Sequence, residues 1–377
     1  MIISSQKHLF NIPPDVAYLN NAYMSPLMKS VTAAMHDGIM SKAQPWTIKP
    51  EDFFTHCEEA RQFAGRVFGA PENNIAIVPS VSYGIQIAAN TLPIATGQNI
   101  IALGDQFPSN IYPWQDKARR CGAVMNILPI PDNDDWTASV LAAINKDTAV
   151  AALPQTHWSS GATLDLVVIR EALDQVGAAL VLDLTQSLGA QPFDARSVRP
   201  DFAVAATYKW LMGPYTMGFM SVDPKWQGAQ PLEHNWINRQ GSGDFAGLTQ
   251  YTDAMAAGAR RFDMGEKSNA SQLKGSSAAL KQILDWGVEN IAETLKAKTS
   301  VITQGLAPFG FTPSPKRAPH YLGLRREGGI PDRLLAKLTD KKIYVSVRGP
   351  AMRVTPHVYC DDNDIDRLIE GVKAILE

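Results

Sequence analysis

The sequence has few cysteines and no long apolar run. Its 377 residues include only three cysteines, far apart and without a Cys-x-x-Cys pair: Cys57, Cys121 and Cys360. Neither a disulfide framework nor a zinc site is therefore indicated. No apolar run approaches the ~18 residues that a membrane span needs. We expect no membrane partner and a reducing, cytoplasmic location.

An excess of charge of one sign is also missing. The chain carries 35 Lys and Arg against 37 Asp and Glu, for a formal net charge of -2. A nucleic-acid-binding protein is expected to show a basic excess, so we predict no nucleic-acid partner. The N-terminal residues lack the basic start and the apolar stretch of a secretory signal, which predicts that the protein is not exported.

Short apolar runs alternate with helix-like segments between residues 74 and 222, and this alternation predicts βαβ units around a mainly parallel sheet. After residue 320 the pattern predicts a compact α+β unit. At roughly 150 residues per domain, the length is typical of two domains, or of one large domain with an appendage. The predicted strands of the sheet are 75–78, 100–103, 125–128, 149–153, 179–182 and 202–205, and the predicted helices are 166–176, 272–286 and 288–306.

Functional groups in open α/β sheets collect at the carboxyl ends of the strands. Asp183 directly follows one predicted strand, with Gln186 three residues later, and a carboxylate in that place needs a cationic partner. Lys209 closes the next predicted strand among aromatic and apolar neighbours. A buried lysine has a lowered pKa and can act as a nucleophile.

The segment Pro79-Ser80-Val81-Ser82-Tyr83-Gly84 forms a predicted turn from a strand into a helix. Ser80 or Ser82 could cap this helix, which would leave free backbone N–H groups facing an anion. The turn therefore predicts a phosphate-binding site.

In this order, the three motifs resemble the class V aminotransferase family of fold-type-I pyridoxal-phosphate enzymes, which includes cysteine desulfurases, kynureninases and isopenicillin N epimerase. The similarity covers nearly the whole chain. It continues in the segments 107–114, 260–265 and 352–359.

The resemblance implies an α/β fold of the PLP-transferase type I. A large PLP-binding domain with a mainly parallel, seven-stranded type of sheet would comprise residues 46–285. A small α+β domain would combine residues 1–45 and 286–377. Members of the family bury the cofactor between two subunits, so the resemblance also implies a homodimer.

The same resemblance assigns roles to individual residues. Lys209 would form an imine with the aldehyde of pyridoxal 5'-phosphate. Asp183 would face the pyridine nitrogen and keep it protonated, which makes the ring an electron sink. Gln186 would hydrogen-bond the ring hydroxyl, while Val81 and Ser82 would hold the phosphate.

Further contacts follow from the resemblance. Tyr208 would donate a hydrogen bond to the phosphate, and Phe107 would stack on the ring. His157 would contact the cofactor or the substrate. Ser268, or Asn269 beside it, would complete the phosphate site of the neighbouring subunit. Arg353 would bind the substrate α-carboxylate through a charge-assisted contact, which implies an amino-acid substrate.

Structural interpretations compete with these roles. Lys209 could be an ordinary strand-end lysine in solvent, and Asp183 could simply cap a helix. Arg353 could form an ion pair with the acidic residues of the closing helix. Core packing would account for Phe107 and His157 at least as well as a function does.

The leading functional hypothesis is an aminotransferase in which Lys209 shuttles a proton. The alternative is a lyase or an amino-acid epimerase on the same scaffold. Residues 346–352 contain no cysteine, which disfavours a desulfurase that relays a persulfide. A non-catalytic dinucleotide-binding module would need a Gly-x-Gly-x-x-Gly turn after the first strand, where the chain has Ser-Val-Ser-Tyr-Gly.

Overall fold

The computed structural model describes all 377 residues. Its strands are β1 (Ala17–Tyr18), β2 (Ile75–Val78), β3 (Asn99–Leu103), β4 (Val124–Leu128), β5 (Thr148–Pro154), β6 (Ala179–Asp183), β7 (Phe202–Ala206), β8 (Gly218–Val222), β9 (Phe311–Thr312), β10 (Leu322–Arg326), β11 (Ile343–Tyr344), β12 (Ser346–Arg348) and β13 (Ala351–Val354). Its α-helices are α1 (Lys29–Ala43), α2 (Asp52–Phe68), α3 (Val81–Thr91), α4 (Tyr112–Cys121), α5 (Trp136–Ala143), α6 (Leu166–Val176), α7 (Ala195–Val198), α8 (Ala270–Trp286), α9 (Val288–Leu306), α10 (Leu334–Asp340) and α11 (Asp362–Leu376).

Seven strands form the central sheet, in the order β2-β8-β7-β6-β5-β3-β4. All run parallel except β8, which is antiparallel to both of its neighbours. Alternate residues of β2 belong to separate apolar cores, with Ile75 and Ile77 in one and Ala76 and Val78 in the other. The sheet is therefore covered on both faces, and the predicted α/β class with a mainly parallel seven-stranded sheet is confirmed.

Helix α6 shows how local signals in the sequence set the two ends of a helix. The Asp165 carboxylate accepts a hydrogen bond from the Val168 N–H and caps the first turn. The helix ends at Gly177, whose φ of 69° lies in the left-handed region that glycine tolerates best. Since cap and stop signals flank the apolar period, the helix spans the predicted residues 166–176.

A second, four-stranded antiparallel sheet has the order β12-β13-β10-β9. Strand β1 pairs with β11, so the N-terminal residues join this C-terminal unit. Helix α1 packs along α8. The domain limits at residues 45 and 285 stay a prediction. The β12–β13 hairpin matters most for the site, because it carries Arg348 and Arg353.

No helix combines the length and the apolar character that crossing a bilayer requires.

Candidate active site

A cavity of about 330 Å³ lies at the carboxyl ends of the central strands. Its walls come from the segments that follow β2, β3, β5, β6 and β7. Residues far apart in the chain meet here because parallel strands present their carboxyl ends at one edge of the sheet. Seven of the predicted site residues line the cavity: Val81, Ser82, Phe107, Asp183, Gln186, Tyr208 and Lys209.

Lys209 is not a solvent-exposed strand-end lysine, because only 7% of its surface is accessible. Its Nζ atom lies 5.4 Å from the centre of the Phe107 ring and 5.5 Å from the centre of the Tyr208 ring. Burial lowers the pKa of Lys209 to about 8, against the attraction of the Asp183 carboxylate, which raises it. A large share of the amine is therefore neutral and nucleophilic near pH 8.

Asp183 is a buried carboxylate without an ion-pair partner in contact. Its Oδ1 atom accepts a hydrogen bond from the Thr185 N–H at 3.0 Å, and burial raises its pKa. No α-helix starts after this residue, so capping does not account for it. A buried carboxylate is costly without a cationic or hydrogen-bonding partner, and a protonated ring nitrogen has the chemistry to be that partner.

The turn into α3 has the features of an anion site. The Ser80 Oγ atom accepts a hydrogen bond from the Tyr83 N–H at 3.2 Å and lies 3.0 Å from the Ser82 Oγ atom. Ser80 is thus the cap, while Val81 and Ser82 begin the helix. N–H groups in a first turn have no partner within the helix and favour negative charge. This arrangement suits a phosphate.

The Gln186 amide is held in one orientation by two hydrogen bonds. Its Oε1 atom accepts from the Trp210 Nε1–H at 2.9 Å, and its Nε2 atom donates to the Ala22 carbonyl at 3.2 Å. The amide nitrogen keeps a second N–H. Because the oxygen is already used by Trp210, this remaining group is a donor, as a ring hydroxyl or its anion requires.

His157 is not among the residues that line the cavity, and a contact of its ring with cofactor or substrate stays a prediction. The ring stacks on Trp136 at 5.3 Å between centroids. Its Nε2 atom is 3.1 Å from the Gly104 carbonyl, and its Nδ1 atom is 3.1 Å from the Ser159 Oγ atom. Side chains alternate along an extended chain, and the neighbours Thr156 and Trp158 line the cavity instead.

Ser268 also lies away from the cavity of its own chain. Its Oγ atom donates to the Phe53 carbonyl at 2.6 Å. Together with Asn269 it lines a separate cavity of about 1100 Å³. A role at the phosphate of a neighbouring subunit therefore stays a prediction.

Arg353 is 2% exposed, lies over the Trp158 ring at 5.7 Å from its centre, and donates hydrogen bonds only to neutral oxygens. Its Nε atom donates to the Ser346 Oγ atom at 3.0 Å, and its Nη1 atom donates to the Trp158 carbonyl at 3.2 Å. The Tyr321 hydroxyl lies 3.3 Å from the same Nη1 atom. The ion pair with the closing helix is not formed. A buried cation without a carboxylate is a ready partner for an anionic ligand.

Several lining residues were missed from sequence: Gln106, Thr156, Trp158, Thr185, Tyr215 and Thr216. Thr156 and Thr185 follow predicted strands, so the strand-end rule could have found them. Tyr215 and Thr216 lie in the connection between β7 and β8. Because β8 was not predicted as a separate strand, the sequence pattern did not indicate that this connection lies at the edge of the sheet where the cavity forms.

The fold and the buried lysine and aspartate at its strand ends define a pyridoxal-phosphate enzyme of fold type I. The sequence model of the aminotransferase class-V family matches residues 17–363. The chain belongs to this family of enzymes, whose cofactor is pyridoxal 5'-phosphate (PLP).

Several relatives match over almost their full length. An uncharacterized aminotransferase of Bacillus subtilis is 24% identical, over 94% of this chain and 93% of the relative. A kynureninase of Geobacillus thermodenitrificans is 23% identical, over 98% and 90%. Isopenicillin N epimerase of Streptomyces clavuligerus is 21% identical, over 97% and 96%.

Solved structures share the fold. A variant of the protein C-DES, with glycine covalently linked to its PLP cofactor, matches with a TM-score of 0.89 at 19% identity, over 98% of this chain and 99% of that chain. The apo cysteine desulfurase of Thermococcus onnurineus matches with a TM-score of 0.84 at 18% identity, over 100% and 99%.

Proposed function

We propose that this protein is an aminotransferase that acts on an amino acid, with Lys209 as the group that moves the proton. The observation that carries this proposal is the inventory of bases around the cavity. Lys209 is the one lining lysine and no lining residue is histidine. The other titratable lining groups are Asp183, assigned to the ring nitrogen, and the phenols of Tyr208 and Tyr215, and burial raises the pKa of Tyr208 to about 12. A single base can remove and return a proton on one face, as transamination requires, whereas an epimerase needs a second base.

PLP, when bound, supplies a ring that stabilises negative charge at the substrate α-carbon. Asp183 would hold a proton on the ring nitrogen, and the first turn of α3 at Val81 and Ser82 would bind the phosphate. Phe107 and Tyr208 flank the Lys209 amine and restrict water around it.

Arg353 would orient the substrate by its α-carboxylate. The three neutral oxygens around the guanidinium hold its plane in place before a ligand arrives, so little conformational freedom is lost on binding. Lys209 Nζ would then take the proton from the α-carbon and deliver it to the cofactor, on the same face.

A single-turnover experiment tests this proposal. Protein loaded with PLP is mixed with each common amino acid, and the cofactor and products are analysed by mass spectrometry. We expect conversion to pyridoxamine phosphate with an equimolar keto acid. PLP that stays unchanged with every amino acid, while the substrate is cleaved or inverted, would rule out transamination.

A lyase is the second candidate, because the solved relatives include a cystine C–S lyase and the sequence relatives include kynureninases. Within the chain, residues 346–352 offer no cysteine to accept sulfur, which disfavours a persulfide relay only. In the same experiment a lyase would release a cleaved product with the cofactor unchanged.

We also propose a homodimer in the cytoplasm. The rings of Phe53, Trp236 and Phe245 cluster beside Ser268, with Phe53 and Phe245 5.4 Å apart. Trp236 and Phe245 remain more than one third exposed in the single chain, and a second copy would cover them. Sedimentation should give a dimer, and a fully active monomer would contradict this. Three free cysteines favour a reducing compartment.

A further inference from the structure

A second arginine lies next to Arg353 on the β12–β13 hairpin. In the antiparallel register Ser346 is directly opposite Arg353, and Arg348 is opposite Ala351. Residues two apart on a strand share a face, as do directly opposite residues. Arg348 and Arg353 are therefore diagonal neighbours on one face of the hairpin.

No carboxylate neutralises this pair of like charges. The hydrogen bonds of Arg353 go only to the oxygens of Ser346, Trp158 and Tyr321. Arg348 is half-buried, and its one hydrogen bond runs from Nη1 to the Val347 carbonyl at 2.8 Å. Besides Arg353, the titratable groups within range of charge interaction with Arg348 are Lys209 and the phenols of Tyr23 and Tyr321. Neighbouring cations repel each other unless an anion lies between them.

The hairpin adjoins the cavity at Trp158, although neither arginine is among the residues that line it. Arg353 reaches the Trp158 carbonyl, and Trp158 lines the cavity. Both guanidinium groups are close enough to Lys209 that their charges lower its pKa, after the larger effect of burial. An anion held by Arg348 would therefore lie within range of charge interaction with Lys209.

The two guanidinium groups differ in how firmly the chain holds them. This difference favours a separate anionic partner for each arginine. Three contacts fix the Arg353 guanidinium, while Arg348 is tied only to the backbone of its own strand at the end of the hairpin. Its Nε and Nη2 atoms form no hydrogen bond within the chain and are free to donate to a second anionic group.

We propose that Arg348 recognises an acidic group on the substrate side chain, so that the enzyme prefers dicarboxylic amino acids. This inference rests on the proposed function, in which Arg353 takes the α-carboxylate. Diagonal positions in a sheet are roughly 7–8 Å apart, and long arginine side chains can converge from there on the two carboxylates of one small molecule.

The first test measures binding without turnover. Glutarate and butyrate differ in the second carboxylate and contain no amine to react. Isothermal titration of the PLP-loaded protein should show glutarate binding about 10-fold to 100-fold tighter than butyrate, as expected for one added charge-assisted contact. In Arg348→Gln the ratio of the two affinities should fall to about one. Arg348→Lys keeps the charge and should restore part of the ratio.

Lys337→Gln is the matched control, because Lys337 is an exposed cation of the same unit and its side chain forms no ion pair. It should leave the ratio unchanged. Steady-state measurements add a second readout: the preference in kcat/KM for glutamate over glutamine, or aspartate over asparagine, should disappear in Arg348→Gln.

Two results would overturn the inference. Wild-type protein could bind the two acids equally, or Arg348→Gln could weaken both by the same factor, which would assign both arginines to one carboxylate. Neither result affects the assignment of Lys209, which is judged separately by trapping the cofactor with borohydride in wild type and in Lys209→Ala.

Discussion

Two of the buried charged clusters in the chain differ in whether the protein supplies every charged partner. In the first cluster, Arg61 and Asp263 form two hydrogen bonds, at 3.1 and 2.8 Å. Asp263 also accepts from the Ile77 N–H at 2.7 Å and from Lys267 Nζ at 2.8 Å. The second cluster consists of Asp183, Lys209 and Arg353. Its members have only neutral contacts, or none, at their charged atoms.

The pKa shifts of the two aspartates differ accordingly. Burial alone would raise the pKa of Asp263, but Arg61 and Lys267 hold it below its ordinary value. Asp183 is also buried, and burial leaves its pKa raised because only Thr185 and the more distant Lys209 oppose it. A buried charge that is fully paired serves the fold, whereas one left without a partner indicates a ligand.

The largest effect should come from removing the reactive amine of Lys209, which belongs to the second cluster. Lys209→Ala should lower activity by about 10³-fold or more, because both the nucleophile and the proton carrier are lost. Borohydride should then trap no cofactor on the protein, as mass spectrometry would show. The exposed Lys341→Ala serves as the control. Cofactor still trapped in Lys209→Ala would refute the assignment.

Breaking the first cluster should lower the free energy of unfolding. Asp263→Ala leaves Arg61 and Lys267 buried without their carboxylate, and this should cost about 3–5 kcal/mol in the free energy of unfolding. Urea denaturation measures it. The exposed Asp285, paired with Lys281 on the surface, is the control, and its replacement by Ala should cost less than about 1 kcal/mol. A similarly small loss for Asp263→Ala would contradict the contrast between the clusters.

Asp183, the aspartate of the second cluster, should affect activity and not stability. Asp183→Asn removes a buried charge that has no ion-pair partner, so the free energy of unfolding of the cofactor-free protein should not fall. Activity should decrease by about 10²-fold or more, since the charge facing the ring nitrogen is lost. Parallel denaturation and rate measurements check both statements. A variant that is unstable but catalytically normal would assign Asp183 to the fold.

The smallest effect concerns pH. Lys209 has a pKa of about 8 in the folded chain against an ordinary value of 10.5. Between these values the unfolded chain binds the proton and the folded chain does not, so stability rises with pH across this window. The slope from this group is at most about 1.4 kcal/mol per pH unit. Cofactor-free wild type and Lys209→Ala are unfolded in urea at several pH values. Their plots of the free energy of unfolding against pH should differ in slope by up to this amount. Parallel curves would mean that the amine is not desolvated.

Sequence patterns predicted six of the seven central strands and several long helices, because their apolar periods and caps are local signals. They also predicted Asp183 and Lys209 at strand ends, where the cavity forms. The pattern did not separate β8, a short buried strand that pairs antiparallel with β2 and β7. It also did not show that Thr156 and Trp158 line the cavity while His157 between them does not, because the pattern does not fix which alternate side chains face the site.

The sequence by itself determined the fold class, the family and the residue types at the strand ends, because these depend on local periodicity and short motifs. Only the tertiary structure decided which charges are paired. Arg61 meets Asp263 across 202 positions of the chain, while Arg353 and Arg348 meet no carboxylate at all. Whether a buried charge is completed depends on contacts between distant segments, and those contacts are set by how the elements pack.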